Sequence, residues 1–129
     1  MEVDKTHSID LLSHELQRKL VQRHPRLLKF TTKEIQIENV LLYPRYLEYV
    51  SEEVQNIKEH VLAVVKADPC ALKFASKELK NDKEIAIVAV KDSGYCLEHV
   101  SPELKNNKDV VVAAIEEDAM AFYLGISKH

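Results

Sequence analysis

Glycine is scarce in this sequence, and its scarcity limits the chemistry that the chain can perform. Only Gly94 and Gly125 occur among the 129 residues, so a glycine-rich loop that wraps a phosphate group cannot form. The spaced histidine, cysteine and serine motifs of zinc proteases, redox proteins and serine hydrolases are missing as well. We therefore expect no catalytic residues, no cofactor-binding site and no metal site, and we predict that the protein is not an enzyme.

Long apolar runs and an excess of basic residues are also lacking. No stretch approaches the roughly 18 apolar residues that a membrane-spanning helix requires, and the start of the chain lacks a signal-peptide pattern. The net charge of −3 argues against nucleic acid as the partner, because nucleic-acid-binding domains usually present a basic face. Cys70 and Cys96 are expected to be unpaired small apolar residues, which fits a reducing compartment. These features predict a cytoplasmic protein that does not act at a membrane.

The sequence does contain an internal repeat. It begins at a serine and occupies residues 51–75, 76–100 and 101–125, each 25 residues long. A fixed period of this length is typical of stacked helical units. We predict an all-α fold, a right-handed superhelical solenoid of short helical repeats, forming one domain over residues 1–129. The recurring residues include Ser51, Ser76 and Ser101; Glu53, Glu78 and Glu103; Asn56, Asn81 and Asn106; Lys58, Lys83 and Lys108; Leu72, Leu97 and Phe122.

Each repeat carries three signals for the start of a helix. The serine is predicted to begin a tight helical turn. The asparagine, followed by an acid three residues later, is predicted to cap a helix of about three turns. A short helix is then predicted to begin at Asp68, Ser93 and Asp118. The runs at 85–90 and 110–115 are rich in β-branched residues, which favour strands, but the preceding capping signals and the lack of hairpin turns favour buried helices.

The first half of the chain follows the pattern less closely. Residues 1–31 are predicted to form an N-terminal capping helix, from about residue 8 to 23, and a half repeat. Residues 32–50 form a short repeat that lacks about six residues, and its long helix is predicted at about 38–42. The residues expected on the apolar face of the capping helix are Ile9, Leu12, Leu16 and Leu20, with Gln17 elsewhere.

Aromatic and basic residues cluster around the short repeat. Tyr43, Tyr46 and Tyr49 lie close together in sequence, and Arg26 and Arg45 occupy matching places in consecutive units. Tyrosine and arginine are enriched among the residues that dominate binding energy at protein interfaces. We predict that these five residues bind a partner protein. The alternative interpretation is that Tyr46 and Tyr49 belong to the core.

Recurring charges form two rows along the array. Stacking would bring equivalent charges side by side, and like charges repel, so we expect the rows to interleave or to lie in water. The favoured interpretation is a solvated face that contributes little stability, and the alternative is a charged strip for a partner. The two rows are Glu34, Glu53, Glu78 and Glu103, and Lys58, Lys83 and Lys108.

The C-terminal end of the array keeps an apolar helix with no further repeat after it. Residues 110–115 are as apolar as the equivalent residues of the inner units. One hypothesis is that this end exposes an apolar patch and forms a homo-oligomer, or that a longer protein continues from it. The alternative is that residues 122–129 fold over the patch.

The stretch KELKNDKEIAIVAVKDSGYCLEHVSPELKNNKDVVVAAI resembles the bacterial and protist repeat family called domain of unknown function 4116, over about residues 51–121. The matching residues are Asn81 to Glu84, Gly94, Tyr95, Leu97, Ser101, Glu103 and Leu104, while Pro69 and Ala119 stand where the family has glycine. The resemblance implies helical repeats, sometimes in secreted effectors of intracellular bacteria, which would work in the host cytosol. It implies no activity and no catalytic residues. The predicted function is a non-catalytic protein–protein interaction module.

A second resemblance concerns the first two short helices. The pairs Pro25 with Leu28 and Pro44 with Leu47 are similar to the proline and leucine pairs of mitochondrial transcription termination factor repeats. That resemblance implies the alternative function, a nucleic-acid-binding helical repeat protein.

Overall fold

The protein is all-helical in the part of the chain that its structure describes. A computed structural model describes the backbone of residues 7–123 and the side chains of residues 9–117. Within that backbone range α-helices and 3₁₀ helices follow one another, and no strand occurs. The elements are η1 His7–Leu11, α1 His14–Arg23, η2 Pro25–Phe30, α2 Lys33–Leu42, η3 Pro44–Tyr49, α3 Glu52–Gln55, α4 Lys58–Ala67, η4 Pro69–Phe74, α5 Lys77–Lys80, α6 Lys83–Asp92, η5 Gly94–His99, α7 Pro102–Lys105 and α8 Lys108–Tyr123.

The valine-rich runs are helices, as predicted, and the recurring serines cap the four-residue helices before them. The Ser76 hydroxyl accepts a hydrogen bond from the Leu79 N–H at 3.1 Å, and Ser101 does the same for Leu104 at 3.2 Å. Pro102 takes the first turn of α7, where its missing N–H costs nothing. Two complete units of this kind, residues 51–75 and 76–100, are called the long units below.

The predicted capping role of the recurring asparagine is wrong by one residue. Asn81 ends α5, and α6 is capped by Asp82, whose carboxylate accepts from the Ile85 N–H at 3.1 Å. The asparagine side chain has another partner: Asn81 Oδ1 accepts a hydrogen bond from the Ser101 hydroxyl of the next unit. The residue is therefore a link between units rather than a helix cap.

The predicted helix at about 38–42 starts earlier than expected. Helix α2 runs over Lys33–Leu42, and the Thr32 hydroxyl caps it by accepting from the Ile35 N–H at 3.4 Å. The six residues missing here include the turn that separates the two α-helices of a long unit. Without that turn, one helix continues from the cap.

Residues 13–31 repeat this short arrangement. Ser13 caps α1 through the Leu16 N–H at 3.2 Å, and η2 follows after His24. Residues 13–31 and 32–50 are called the short units below.

The N-terminal helix differs from the prediction in its extent and in its buried face. Helix η1 ends at Leu11, and α1 begins only at His14. Leu12 and Leu16 are 42% and 51% exposed, whereas Gln17 and Val21 are buried. The capping bond at Ser13 starts a new helix, and the new helix turns Gln17 into the core.

The short helix predicted to start at Asp118 is not formed. Helix α8 continues through this position to Tyr123. In the inner units Pro69 or Gly94 follows the equivalent residue and interrupts the α-helix. Here Ala119 follows, and alanine is the best helix former.

The units pack against one another in chain order. The long helices α1, α2, α4, α6 and α8 contact consecutively, and η1 to η5 do the same. The later long helices also contact the 3₁₀ helix of the preceding unit, for example α6 with η4 and α8 with η5. The core lies between these two rows, and its largest fully buried apolar residues include Leu28, Ile35, Leu47, Leu72 and Ile85. Among the described residues, no helix has the length and apolar character needed to cross a membrane.

Candidate partner-binding surface

The three tyrosines of the predicted site form one aromatic cluster that extends from the residue before η3 to its last residue. The ring centroids of Tyr43 and Tyr46 are 4.8 Å apart, and those of Tyr46 and Tyr49 are 5.7 Å apart. Tyr46 and Tyr49 pack against the core, whereas Tyr43 is 53% exposed. The Tyr46 ring therefore packs against one side of the Tyr43 ring, and Tyr43 is the most exposed of the three tyrosines.

Arg45 is positioned by the unit that follows it. Its Nε donates to a carboxylate oxygen of Asp68 at 3.0 Å, while the other oxygen of Asp68 accepts from the Cys70 N–H at 3.1 Å. The Arg45 side chain remains mostly exposed. Arg26 occupies the same place one unit earlier and is also exposed. The structure thus brings Tyr43 and Arg45 to one junction and places Arg26 at the neighbouring one.

Two leucines extend this surface, and the sequence analysis did not identify them. Leu41 and Leu42, the last residues of α2, are 49% and 70% exposed. We call Leu41, Leu42 and Tyr43 the Leu–Tyr patch. Three consecutive large apolar residues in water are typical of a contact surface. The signal was present in the repeat, because the other units carry mainly polar residues at these two places: Gln22 and Arg23, Lys66 and Ala67, Lys91 and Asp92.

The lysines of the predicted row pair with acids of the next unit that lie outside the predicted glutamate row, so the two rows do not interleave with each other. Lys58 lies 3.0 Å from Asp82 and 2.9 Å from Glu84 of the next unit, so these carboxylates raise the pKa of its ammonium group. Lys83 pairs in the same way with Asp109, which lowers the pKa of that carboxyl group. These pairs lie largely in solvent and contribute little stability. They do, however, place carboxylates beside Lys58 and Lys83.

The histidines and cysteines with chemical potential lie apart from the patch. His60 and His99 are half-buried, with side chains 25% and 22% exposed. Both cysteines are free thiols; Cys70 is partly exposed, and burial raises the pKa of the Cys96 thiol to about 11. Among the described residues, no group of three or more histidine, cysteine or acidic side chains is placed to hold a metal ion.

The C-terminal end of the array also exposes apolar side chains. Val112 and Ile115 of α8 are 41% and 59% exposed, whereas Val90, the equivalent of Ile115, is fully buried. The segment expected to cover this end, residues 122–129, lies outside the described side chains. The oligomer predicted at this end stays a prediction.

Comparison with known proteins places the repeats in a family. No curated protein and no solved structure matches the chain. One family model matches twice, at residues 58–105 and at 89–124, and together the two matches cover the α4 to α8 region. The chain therefore belongs to the repeat family described as Domain of unknown function (DUF4116).

Proposed function

We propose that the protein is a non-catalytic protein–protein interaction module whose binding surface is the Leu–Tyr patch together with Arg45. The observation that carries the proposal is the exposure of three consecutive large apolar residues at a place where the other units are mainly polar. The Tyr43 ring is packed against Tyr46, and Arg45 is hydrogen-bonded to Asp68. Both side chains therefore lose little conformational freedom on binding. Such residues are the usual anchors of protein interfaces.

The architecture that we propose for the module is a right-handed superhelical solenoid. Consecutive contacts along both the long helices and the 3₁₀ helices support it, because each unit covers the apolar face of the next. The repeated link from the serine hydroxyl to the preceding asparagine supports it as well, with Ser76 Oγ donating to Asn56 Oδ1 at 2.6 Å. Small-angle scattering from the purified chain tests the elongated shape, and a compact sphere would contradict it.

Two features support a non-catalytic role in a reducing compartment. A cysteine nucleophile needs a lowered thiol pKa, whereas burial raises the pKa of Cys96 to about 11. Two unpaired cysteines also fit the cytoplasm, or a host cytosol if the protein is a secreted effector.

The alternative partner, nucleic acid, is less well supported by the charges. A nucleic-acid-binding face needs lysines that are available to phosphates. Lys58 and Lys83 face carboxylates of the next unit, and Lys33 lies 3.0 Å from Glu53.

Site-specific photo-crosslinking tests the proposal. A photoreactive amino acid replaces Leu42 in one variant and Lys33 in a matched control, and both are illuminated in lysate from the native host. Lys33 begins the same helix that Leu42 ends, roughly 14 Å away at 1.5 Å per residue. We expect discrete protein adducts at position 42 that weaken when Arg45→Ala is added. Equal adducts at both positions, or none at 42, would contradict the proposal, and nuclease-sensitive adducts would favour the nucleic-acid alternative.

A further inference from the structure

One edge of the array is formed by the four junctions where a long helix ends and a 3₁₀ helix begins, and by residues 116–117 of α8, which occupy the equivalent place in the last unit. Neighbouring junctions are in contact. Arg45 in the second junction pairs with Asp68 in the third at 3.0 Å. Helix η4 of the third junction packs against helix η5 of the fourth. We call this row the junction edge. It presents one set of side chains per unit.

The charge along the junction edge changes sign from one end to the other. The first junction carries the exposed residues Arg23 and Arg26. The equivalent region of the last unit carries Glu116 and Glu117 instead. The middle junction holds both signs, with Lys66 beside Asp68. The edge is therefore basic at one end, acidic at the other and balanced at its centre.

Exposed apolar groups lie on either side of that centre. The Leu–Tyr patch occupies the second junction, and Tyr95, which is 58% exposed, occupies the fourth. Cys70, which is partly exposed, lies in the third. A two-fold rotation that reverses the edge therefore places acidic residues opposite basic ones at its ends. It also places the aromatic residues of the second and fourth junctions opposite each other.

We propose that the Leu–Tyr patch binds a second copy of this chain, with the two junction edges antiparallel about a two-fold axis near Cys70. This inference rests on the proposed function and names the partner of the same surface. A two-fold interface must be self-complementary, since each contact occurs twice. The arrangement pairs Arg26 with the second copy's Glu116, and Tyr43 with the second copy's Tyr95.

The small area of the edge indicates that the dimer is weak. Five long helices packed about 8–10 Å apart give an edge that is roughly 40 Å long. With a width near that of one helix, about 10 Å, each copy covers roughly 400 Å². Stable interfaces cover about 800 Å² per partner and reach dissociation constants of about 1 µM or lower, so we expect a weaker dimer with a dissociation constant above about 1 µM. Its charged ends are exposed, and salt should weaken it further.

Sedimentation of charge-reversal variants tests the pairing. Wild-type protein is expected to change from monomer to dimer as its concentration rises above about 1 µM. Arg26→Glu and Glu116→Arg should each weaken the dimer by about tenfold, because each reversal turns two attractive contacts into repulsive ones. The double variant should regain the wild-type affinity. Circular dichroism checks that each variant is folded. A monomer at all concentrations, or a double variant weaker than both single variants, would overturn the proposal.

A thiol cross-link tests the position of the axis. A short bismaleimide is expected to join two wild-type chains through Cys70, and Cys70→Ser should remove the product. Dimers that resist this cross-linker would contradict the antiparallel register. The outcome is separate from that of the photo-crosslinking test: adducts of Leu42 with a different protein, combined with a monomeric chain, would reject the dimer and retain the proposed function.

Discussion

The short and long units make the same bond between neighbours with different chemical groups. In the short units a glutamine side chain accepts the N–H of the next capping residue: Gln17 Oε1 accepts from Thr32 at 2.9 Å, and Gln36 Oε1 from Ser51 at 2.8 Å. In the long units a backbone carbonyl does this work. The N–H of Ser76 donates to the Gln55 carbonyl at 3.0 Å, and the equivalent bond in the next unit runs from Ser101 to Lys80 at 2.9 Å.

The difference follows from the four-residue helix that only the long units possess. The last carbonyls of any helix have no partner inside it, so α3 and α5 offer a free acceptor to the next unit. A short unit has no such helix end at this place and uses a buried amide instead. Gln36 also donates from Nε2 to the Thr31 carbonyl at 3.0 Å, so both ends of the amide are paired. Unit length thus decides whether a buried polar side chain is needed.

Removing the buried amide gives the largest effect that we predict. Gln36→Ala leaves the Ser51 N–H and the Thr31 carbonyl without partners in a largely buried place, which should lower the free energy of unfolding by about 2–4 kcal/mol. Gln55→Ala is the matched control in a long unit. Its side chain makes one partly buried bond, from Nε2 to the Leu47 carbonyl at 2.9 Å, so we expect a loss of about 1 kcal/mol.

Urea unfolding of both variants measures this comparison. The lengths of the two side chains are equal, so a loss of packing alone would affect them more similarly. Equal losses for Gln36→Ala and Gln55→Ala would show that the amide bridge does not stabilise the short units in the way described.

For the capping residue at the start of a unit, we expect the larger loss of stability in a long unit. This order is the reverse of the one expected for the glutamines. Ser76 accepts from the Leu79 N–H at 3.1 Å and donates to Asn56 Oδ1 at 2.6 Å, whereas Thr32 serves as a cap for α2. Loss of a cap costs about 1 kcal/mol. We expect Ser76→Ala to cost about 2 kcal/mol and Thr32→Ala about 1 kcal/mol. A double-mutant cycle of Ser76→Ala with Asn56→Ala checks the extra bond, and additive losses would contradict it.

Much of the fold could be predicted from the sequence, because period and capping chemistry are local signals. The capping role of the recurring serines and the helical state of the valine-rich runs are both confirmed. Gln17 was placed on the wrong face because a polar residue in an amphipathic pattern is normally assigned to water. Its role depends on an N–H fifteen residues later, which no local pattern contains. Comparing Gln17 with Gln36 in the next unit is the signal that could have revealed it.

The candidate site could be predicted only in part. Tyrosine and arginine are conspicuous in a sequence, so Tyr43 and Arg45 were identified, and their binding role stays a prediction. Leu41 and Leu42 were overlooked because leucines at the end of a helix fit a buried face equally well. Their exposure depends on which neighbour reaches the end of α2, and tertiary packing decides that.

The smallest predicted effect is a pH-dependent change in stability, and it distinguishes the charged cap of α6, Asp82, from the uncharged cap of α8. Asp82 is partly buried, which acts to raise the pKa of its carboxyl group, but the Ile85 N–H and the Lys58 ammonium together hold that pKa below its ordinary value. A carboxyl group with a lowered pKa in the folded state stabilises the fold above about pH 4, and this contribution is lost as the pH falls through the lowered pKa. Asp82→Asn keeps a capping oxygen and loses the charge, so we expect it to be less stable than wild type at pH 7 by under about 1 kcal/mol and equal to it near pH 2. Urea unfolding at the two pH values measures the difference.

Asn107 caps α8 at the equivalent place through the Val110 N–H at 3.3 Å, so Asn107→Asp is the reciprocal variant. We expect it to gain the same stabilising contribution above about pH 4 and to lose it in acid. If the gap between Asp82→Asn and wild type were the same at both pH values, the charge of Asp82 would have no part in the stability of the long units.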